Sequence, residues 1–270
     1  MDSLRTLFGI EKPVIGMLHV PALPGSPANT APFSAIRERV LRDAETLANG
    51  GVDGLLLENL GDAPYYPNRV PPHTIAYLAA LGHDLRTRIP LPLGVNVLRN
   101  DAFGALAVAA AVEAAFIRVN VYSGARVTDQ GVIQGEAHEL LRYRKLLGAA
   151  VRIFADVAVK HSAPLAERDL RDEVEDTVAR GRADAVIVSG PASGKQTRME
   201  DVLAAREAAG GVPVLVGSGV GLSNVVEMVR CADGWIGGTA FEVDGVTGNP
   251  VDPARVRELM EAVRAARRVV

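Results

Sequence analysis

The chain has one cysteine, few aromatic residues and no long apolar run. Cys231 is the only cysteine among 270 residues, and Phe, Trp and Tyr together make up 4%. A lone cysteine cannot form an internal disulfide and suits a reducing compartment, so a cytoplasmic location is expected. No run of about 18 apolar residues is present to form a membrane-spanning helix. The first residues also lack the basic start and apolar core of a secretory signal, so none is expected.

Strong charge of either sign is missing as well. The formal net charge is -3 and the isoelectric point is about 6.0. Nucleic-acid binding is not expected, because it requires a concentrated basic surface. The densest basic cluster is "RAARRVV" at 264–270. We interpret it as a helix end whose cations complement the helix dipole, with peripheral contact to an anionic membrane as the alternative.

Short apolar runs rich in Val and Ile alternate with alanine-rich segments that have helical periodicity. The runs lie at 14–20, 54–59, 91–98, 116–122, 151–159, 184–190, 212–219 and 234–241. They start about 31 residues apart on average, which is the length of a strand–helix unit. Eight such units predict one (β/α)8 barrel domain, a TIM barrel, over residues 1–270. An open, doubly wound sheet is the alternative.

Most of the predicted strands end in polar residues. In a barrel of parallel strands, the loops at the carboxyl ends form the active site, so these side chains are expected to share one cavity. Each of them, taken singly, also fits a helix cap or a hydrogen-bonded rim residue. The candidate catalytic residues are His19, Glu58, Asn96, Asn120, Asp156 and Lys160.

The seventh and eighth strands end in glycine. Glycine lets backbone N–H groups approach a ligand closely, and a following helix, for which Ser223 is the expected N-cap, adds positive charge. Barrels frequently bind phosphate at these two loops. The alternative is that the glycines only make tight turns. The candidate phosphate-binding residues are Gly217, Ser218, Gly219, Gly237, Gly238 and Thr239, joined by Ser189 and by Lys195 of the loop "SGPASGKQT".

The segment "ADVAVKHS" contains the most reactive pair. Asp156 and Lys160 share strand parity, so both are expected to face the cavity. A partly desolvated lysine can act as a base or form a Schiff base with a carbonyl substrate. The alternative is a structural ion pair between the two residues. No cofactor is certain from the sequence, and Glu58 with Asp156 would be the ligands if Mg²⁺ is bound.

Several blocks of the sequence resemble the BtpA/SgcQ family. They include "IGMLHVPALPGSP", "GLLLENLGDAPYYPNRVPPHT", "FIRVNVYSGARVTDQGVIQGEA" and "ADVAVKHSAP", and the resemblance extends from about residue 12 to residue 260. It implies a TIM barrel. One photosynthetic member is implicated in photosystem I assembly, and another lies with sugar-uptake genes under a nucleoside triphosphatase label. The family supplies no catalytic residues to transfer, so the candidates rest on the residues themselves.

The sequence therefore favours an enzyme that binds a small phosphorylated sugar or nucleotide-derived substrate. Lyase, aldolase or isomerase chemistry by acid–base catalysis is expected, with phosphate held away from the reacting carbon. Two alternatives are a non-catalytic assembly factor for a membrane complex and a metal-dependent nucleotide phosphohydrolase. A homo-oligomer is expected because barrels of this kind often pair through their helices or loops.

Overall fold

Eight parallel strands close into a barrel in the computed structural model, which describes residues 3–190 and 196–268. The barrel strands are β1 (Val14–His19), β2 (Gly54–Glu58), β3 (Leu93–Asn96), β4 (Phe116–Val119), β7 (Arg152–Val157), β9 (Ala185–Val188), β10 (Val214–Val216) and β11 (Gly234–Gly237). Each pairs in parallel with its neighbours, and β1 pairs with both β2 and β11. The predicted (β/α)8 barrel is confirmed, and the open sheet is wrong because no edge remains.

Helices connect these strands and cover the barrel. They are α1 (Ser3–Phe8), α2 (Phe33–Gly50), α3 (Pro72–Arg88), α4 (Ala102–Ala111), α5 (Ala137–Leu146), α6 (Leu170–Glu175), α7 (Met199–Ala208), α8 (Val225–Cys231) and α9 (Pro253–Arg267). As expected, Asp252 caps α9 by accepting hydrogen bonds from the backbone N–H groups of Ala254 and Arg255. The helix α9 packs beside α2, and Arg267 in its last turn pairs with Asp53. No helix in the described part of the chain is long and apolar enough to cross a membrane.

The barrel interior has its own apolar cluster, separate from the layer between strands and helices. Phe116 and Phe154 stack within it, with ring centroids 4.5 Å apart, and Leu4 of α1 joins it. The strand residues of this cluster are Ile15, Met17, Leu56, Phe116, Phe154, Ala185, Ile187, Leu215 and Ile236. Because side chains alternate along a strand, these positions determine which later residues of each strand also point inward.

Three additional strands form a small antiparallel sheet, which the sequence analysis did not predict. They are β5 (Ala125–Thr128), β6 (Gly131–Gln134) and β8 (Ser162–Pro164), with β5 in the centre. The sheet joins the loop after β4 to the loop after β7. Its strands have three or four residues, too few for a periodic pattern to stand out. Arg126 holds the sheet to α6 through hydrogen bonds to Glu173.

Candidate active site

The inward positions of the barrel strands change from apolar to polar at the carboxyl ends. Two residues after the interior side chains Met17, Leu56 and Phe154 come His19, Glu58 and Asp156. The same step leads from Ile187 to Ser189 and from Leu215 to Gly217. This two-residue period explains why the polar strand ends found in the sequence meet at one mouth of the barrel.

A cavity of about 390 Å³ opens at this mouth. Three of the candidate catalytic side chains line it, namely His19, Glu58 and Lys160, together with the glycine-rich ends of β10 and β11. The phosphate-site candidates along its wall are Gly217, Ser218, Gly219, Gly237, Gly238 and Thr239. Asn96, Asn120, Asp156 and Ser189 are buried residues that are not among its lining side chains in the described part of the chain. Lys195 lies outside the described residues.

Lys160 reaches the cavity from the turn that follows β7, not from the strand itself. The strand ends at Val157 and Ala158 has a positive φ, so the parity argument for Lys160 is wrong although its side chain does line the cavity. The Lys160 Nζ donates a hydrogen bond to the Gly217 carbonyl at 3.1 Å. Burial lowers the pKa of Lys160 to about 8, and the nearby charge of Arg118 acts in the same direction.

Asp156 pairs with Arg118, not with Lys160. The Arg118 Nε and Nη2 each donate to one Asp156 oxygen at 3.0 Å, and Asn120 Nδ2 donates at 2.7 Å. Asn96 Nδ2 in turn donates to Asn120 Oδ1 at 3.2 Å. The alternative of an Asp156–Lys160 ion pair is therefore wrong. The Asp156 carboxylate forms its ion pair with Arg118 of the neighbouring strand β4.

Arg118 is a site residue that the sequence analysis missed. Its side chain is only 6% exposed, and it lines the cavity. Burial acts to lower the pKa of Arg118, but the charges of Asp156 and Glu58 and the hydrogen bond to Asp156 together outweigh burial, so this pKa lies above its ordinary value. The signal was present in "FIRVNVY", where an arginine interrupts an apolar strand with the same parity as Asn120.

His19 lies between two glutamates. Its Nδ1 is 2.7 Å from Glu242 Oε1, and its Nε2 is 3.9 Å from Glu58 Oε1. Glu242 follows β11 and is 3% exposed. The sequence analysis did not select Glu242, because it stands beyond the strand end, where a polar residue is ordinary.

The glycines at the ends of β10 and β11 are packed closely. A Cβ at Gly217 would lie 2.4 Å from Ser189 Oγ, and a Cβ at Gly238 would lie 2.6 Å from His19 Cε1. Both positions therefore admit glycine alone without a shift of their neighbours. Close packing in the barrel accounts for these two glycines whether or not an anion binds there.

The helix behind the β10 loop differs from expectation. It begins only at Val225, after a four-residue turn, and has seven residues. Its N-cap is Asn224, not Ser223, and Asn224 makes no side-chain capping bond. The Asn224 side chain instead bonds to the Gly221 N–H and the Gly219 carbonyl, which fixes the loop shape. This helix is too short to supply the positive charge that the sequence analysis assigned to it.

A cation that the sequence analysis overlooked lines the same cavity. Arg255, in the first turn of α9, donates from Nε to the Ala240 carbonyl at 3.3 Å and enters no ion pair with a described residue. Thr247 also lines the cavity and shares a hydrogen bond with Thr239 at 2.8 Å. The loop after β11 and the start of α9 thus add a guanidinium and two hydroxyls to the glycine-rich wall.

The residues offer limited support for a metal. Within residues 3–190 and 196–268, no group of three or more His, Cys, Asp or Glu is arranged to hold an ion. Of the two carboxylates suggested for Mg²⁺, Asp156 is occupied by Arg118 and Asn120, and only Glu58 lines the cavity. The donor set therefore does not fit the Glu58–Asp156 magnesium site.

A family model and several known sequences match most of the chain. A model described as the BtpA family matches residues 10–265. The chain is 43% identical over 263 residues to the photosystem I biogenesis protein BtpA of Synechocystis, which covers 97% of this chain and 91% of that protein. It is 46% identical over 257 residues to an uncharacterized protein of Thermococcus kodakarensis, at 95% and 97% coverage.

Solved structures share the fold at low sequence identity. Orotidine 5'-phosphate decarboxylase from Pyrococcus horikoshii aligns with a TM-score of 0.58 and 14% identity, covering 93% of this chain and 99% of that one. N-(5'-phosphoribosyl)anthranilate isomerase from Pyrococcus furiosus gives 0.56 and 13%, with 94% and 99% coverage. At such identities the likeness shows the barrel fold and nothing about the reaction.

Proposed function

The chain belongs to the BtpA family, and from that premise we propose that it is an enzyme acting on a small phosphorylated sugar or nucleotide-derived compound. The substrate binds at the mouth of the barrel, where acid–base chemistry of the isomerase, lyase or aldolase kind takes place. One observation carries the proposal: the partly buried amine of Lys160 and the glycine-rich end of β10 meet in the same cavity, joined by a hydrogen bond. A reactive group and an anion-binding wall are thus within reach of one small molecule.

The phosphate end of the substrate is assigned to the wall formed by the β10 and β11 loops. Arg255 brings a positive charge that no described carboxylate neutralises by an ion pair, and Thr239 and Thr247 bring hydroxyl donors. A guanidinium and hydroxyls of this kind match the oxygens of a phosphate monoester. The structures of two barrel enzymes named for phosphorylated ligands share the fold, which is consistent with this assignment without deciding it.

The reacting end is assigned to the part of the cavity next to Lys160, whose amine lies at the start of the β10 loop. An amine with a pKa of about 8 is neutral in about one molecule in ten at pH 7, far more often than an ordinary lysine. The neutral form can accept a proton or attack a carbonyl, and the charged form can stabilise an oxyanion. Holding the phosphate at Arg255, Thr239 and Thr247 would position the reacting carbon beside this amine.

A panel of phosphorylated ligands tests the proposal. We expect sugar phosphates or nucleotides of the right shape to raise the melting temperature, since a ligand at 100 times its Kd stabilises the native state by about 2.7 kcal/mol. The dephosphorylated counterparts serve as matched controls and should stabilise much less. A flat response across the panel, with and without Mg²⁺, would contradict the proposal.

Borohydride reduction separates the two forms of lysine chemistry. If the amine forms a Schiff base with a stabilising carbonyl ligand, water is released and borohydride reduces the C=N bond, so Lys160 gains the mass of the ligand less one oxygen atom. Lys145, an exposed lysine on α5, is the internal control and should stay unmodified. Turnover without a trapped adduct would assign Lys160 to proton transfer or oxyanion stabilisation instead.

A second candidate function rests on the name of one relative. The Synechocystis protein, 43% identical, is named for photosystem I biogenesis. A non-catalytic assembly role predicts binding to a membrane complex that persists when Lys160 is replaced by methionine. The chain is at least as similar to the Thermococcus protein, whose name states no such role. Co-sedimentation with photosynthetic membranes, compared between wild type and Lys160→Met, distinguishes the two candidates.

A further inference from the structure

Glu242 is held rigidly behind His19 by the loop that follows β11. Its Oε1 lies at hydrogen-bond distance, 2.7 Å, from His19 Nδ1 and accepts a hydrogen bond from the Gly248 N–H at 3.2 Å. Its backbone forms an isolated β-bridge with Val251, which ties the loop to the start of α9. A carboxylate that is 3% exposed and fixed at both backbone and side chain presents one defined acceptor to the imidazole.

The other nitrogen of the imidazole faces the cavity. The His19 side chain is 9% exposed and lines the cavity, and its Nε2 is 3.9 Å from the nearest carboxylate oxygen, Glu58 Oε1. That separation is too long for a hydrogen bond. Gly238 makes room for the ring, since a Cβ there would lie 3.2 Å from Nε2 and closer still to Cε1. Nε2 is therefore left open towards a ligand.

A neutral imidazole carries its proton on one nitrogen and a lone pair on the other. An ionised carboxylate can only accept, so the Glu242 contact selects the tautomer with hydrogen on Nδ1 and the lone pair on Nε2. A histidine oriented in this way by a carboxylate is a familiar arrangement for a general base. The contacts of His19 thus define a direction for proton transfer, from the cavity to Nε2.

We propose that His19 is the proton-transfer residue of this site and that Glu242 is its positioning residue. The inference rests on the proposed function for its substrate and names the group that moves the proton. His19 Nε2 takes a proton from the carbon next to the substrate carbonyl. The C–H electron pair becomes the new C=C bond, and the carbonyl π pair moves to oxygen as an enolate. The Lys160 ammonium in the same cavity balances that negative charge, and the imidazolium later returns the proton to carbon.

The tautomer can be measured on the free protein, without any substrate. Nitrogen-15 NMR of histidine-labelled protein is expected to show one histidine with hydrogen on Nδ1 and a bare Nε2, and His19→Gln should remove that signal. The other four histidines, His73, His83, His138 and His161, are exposed and serve as references. A proton on Nε2 alone, or on both nitrogens at neutral pH, would overturn the proposal.

Two further variants test the positioning role. Glu242→Gln keeps the shape but replaces an obligate acceptor with an amide that can donate or accept, so a mixture of tautomers is expected. Gly238→Ala leaves Glu242 in place but pushes on the ring, so the Nδ1 proton signal should be lost or shifted. An unchanged His19 spectrum in both variants would show that neither residue sets the orientation of the ring.

The catalytic part is tested with ketose phosphates, used as probes. With a probe that stabilises the protein, wild type is expected to exchange the proton next to the carbonyl for solvent deuterium. His19→Gln should slow this exchange by about a hundredfold or more while the melting-temperature shift is retained. Glu242→Gln should lower kcat with little change in KM, and Glu242→Asp, which keeps the carboxylate, should recover part of the rate.

The outcomes separate this inference from the proposed function. Exchange that continues at the wild-type rate in His19→Gln would overturn the role of His19 and leave the phosphate site intact. Absence of any stabilising phosphorylated probe would instead overturn the proposed function, and the tautomer measurement would still decide whether Glu242 positions the imidazole.

Discussion

The Arg118 guanidinium and the Asp156 carboxylate form a two-point ion pair inside the barrel, with both N–O distances at 3.0 Å. The side chains are 6% and 2% exposed, so each charge depends on the other. Removal of one partner leaves an uncompensated buried charge, which costs far more than the pair itself contributes. The neighbouring strands β4 and β7 are thus joined by a buried ion pair, and the loss of either partner alone is expected to destabilise the protein.

Asp156→Ala is therefore expected to lower the free energy of unfolding by about 3–5 kcal/mol, measured by urea denaturation. The double variant Asp156→Leu with Arg118→Met should be less destabilised than Asp156→Ala, because it leaves neither charge of this pair buried without its partner. Glu38→Ala, which breaks an exposed pair with Arg42, is the control and should cost less than about 1 kcal/mol. Equal losses in the two Asp156 variants would contradict the ion-pair account.

Lys160 should react with an acylating reagent at a lower pH than an exposed lysine does. Burial lowers its pKa to about 8, so the neutral, reactive amine accumulates as the pH rises through 8. Mass spectrometry of peptides labelled between pH 6 and pH 10 gives the midpoint for Lys160, with exposed Lys145 as the comparison. A Lys160 midpoint near 10.5 would refute the buried environment of the amine.

The same shift affects stability in a defined direction. Because the pKa of Lys160 is lower in the folded than in the unfolded chain, the unfolded state binds more protons between pH 8 and 10.5. Stability from this group therefore rises with pH across that window. Burial raises the pKa of Tyr65 and of Tyr122 to about 12, which opposes this trend above pH 10. The difference between wild type and Lys160→Met isolates the lysine contribution, which should grow in favour of wild type from pH 8 to 10.5.

Gly217→Ala should destabilise the barrel while Gly221→Ala should not. A Cβ at Gly217 would lie 2.4 Å from Ser189 Oγ and 2.5 Å from Ile187 Cγ2, whereas nothing lies within 4 Å of a Cβ at Gly221. Overpacking of this kind costs about 1–3 kcal/mol. The two variants differ by four positions in one loop, so thermal unfolding compares them directly. Similar melting temperatures would contradict the prediction and show that Ser189 and Ile187 shift at little cost to admit the methyl group.

Arg255→Ala should weaken the binding of phosphorylated ligands by about tenfold to a hundredfold, because a charge-assisted hydrogen bond contributes about 1.5–3 kcal/mol. Isothermal titration with any ligand that stabilises the protein, and with inorganic phosphate, measures the change. Arg257→Ala, two residues further along α9 and exposed, is the matched control and should bind as wild type does. Equal affinities in all three proteins would remove Arg255 from the phosphate site.

The sequence was sufficient for the fold because the barrel depends on a repeated pattern. Apolar runs at regular spacing predict parallel strands, and the two-residue period then carries inward parity from Met17 to His19 and from Leu56 to Glu58. That same rule, applied to "FIRVNVY", would have found Arg118. Its failure at Lys160 has a local cause: the strand ends at Val157, and Ala158 turns the chain with a positive φ.

Pairings between distant segments were not accessible from the sequence. His19 and Glu242 are separated by almost the whole chain, and Arg118 and Asp156 belong to strands that follow different helices. Each partner is decided by barrel closure and strand register, which a single sequence does not reveal. Arg255 could not be selected from the sequence for a related reason. A charged residue in the first turn of a helix is common, and only the structure shows that Arg255 lines the cavity.

The pairing of β1 with β11 also has a consequence for how the chain is made. The first strand of the barrel hydrogen-bonds to its last, so one edge of β1 stays open until β11 has left the ribosome. Until then the nascent chain presents an unpaired, apolar strand. A surface of this kind promotes aggregation and is bound by chaperones. Arg267, close to the end of α9, then bonds to Asp53 and to the Lys12 carbonyl next to β1. Of the barrel elements, β11 and α9 are synthesised last, and they complete the fold.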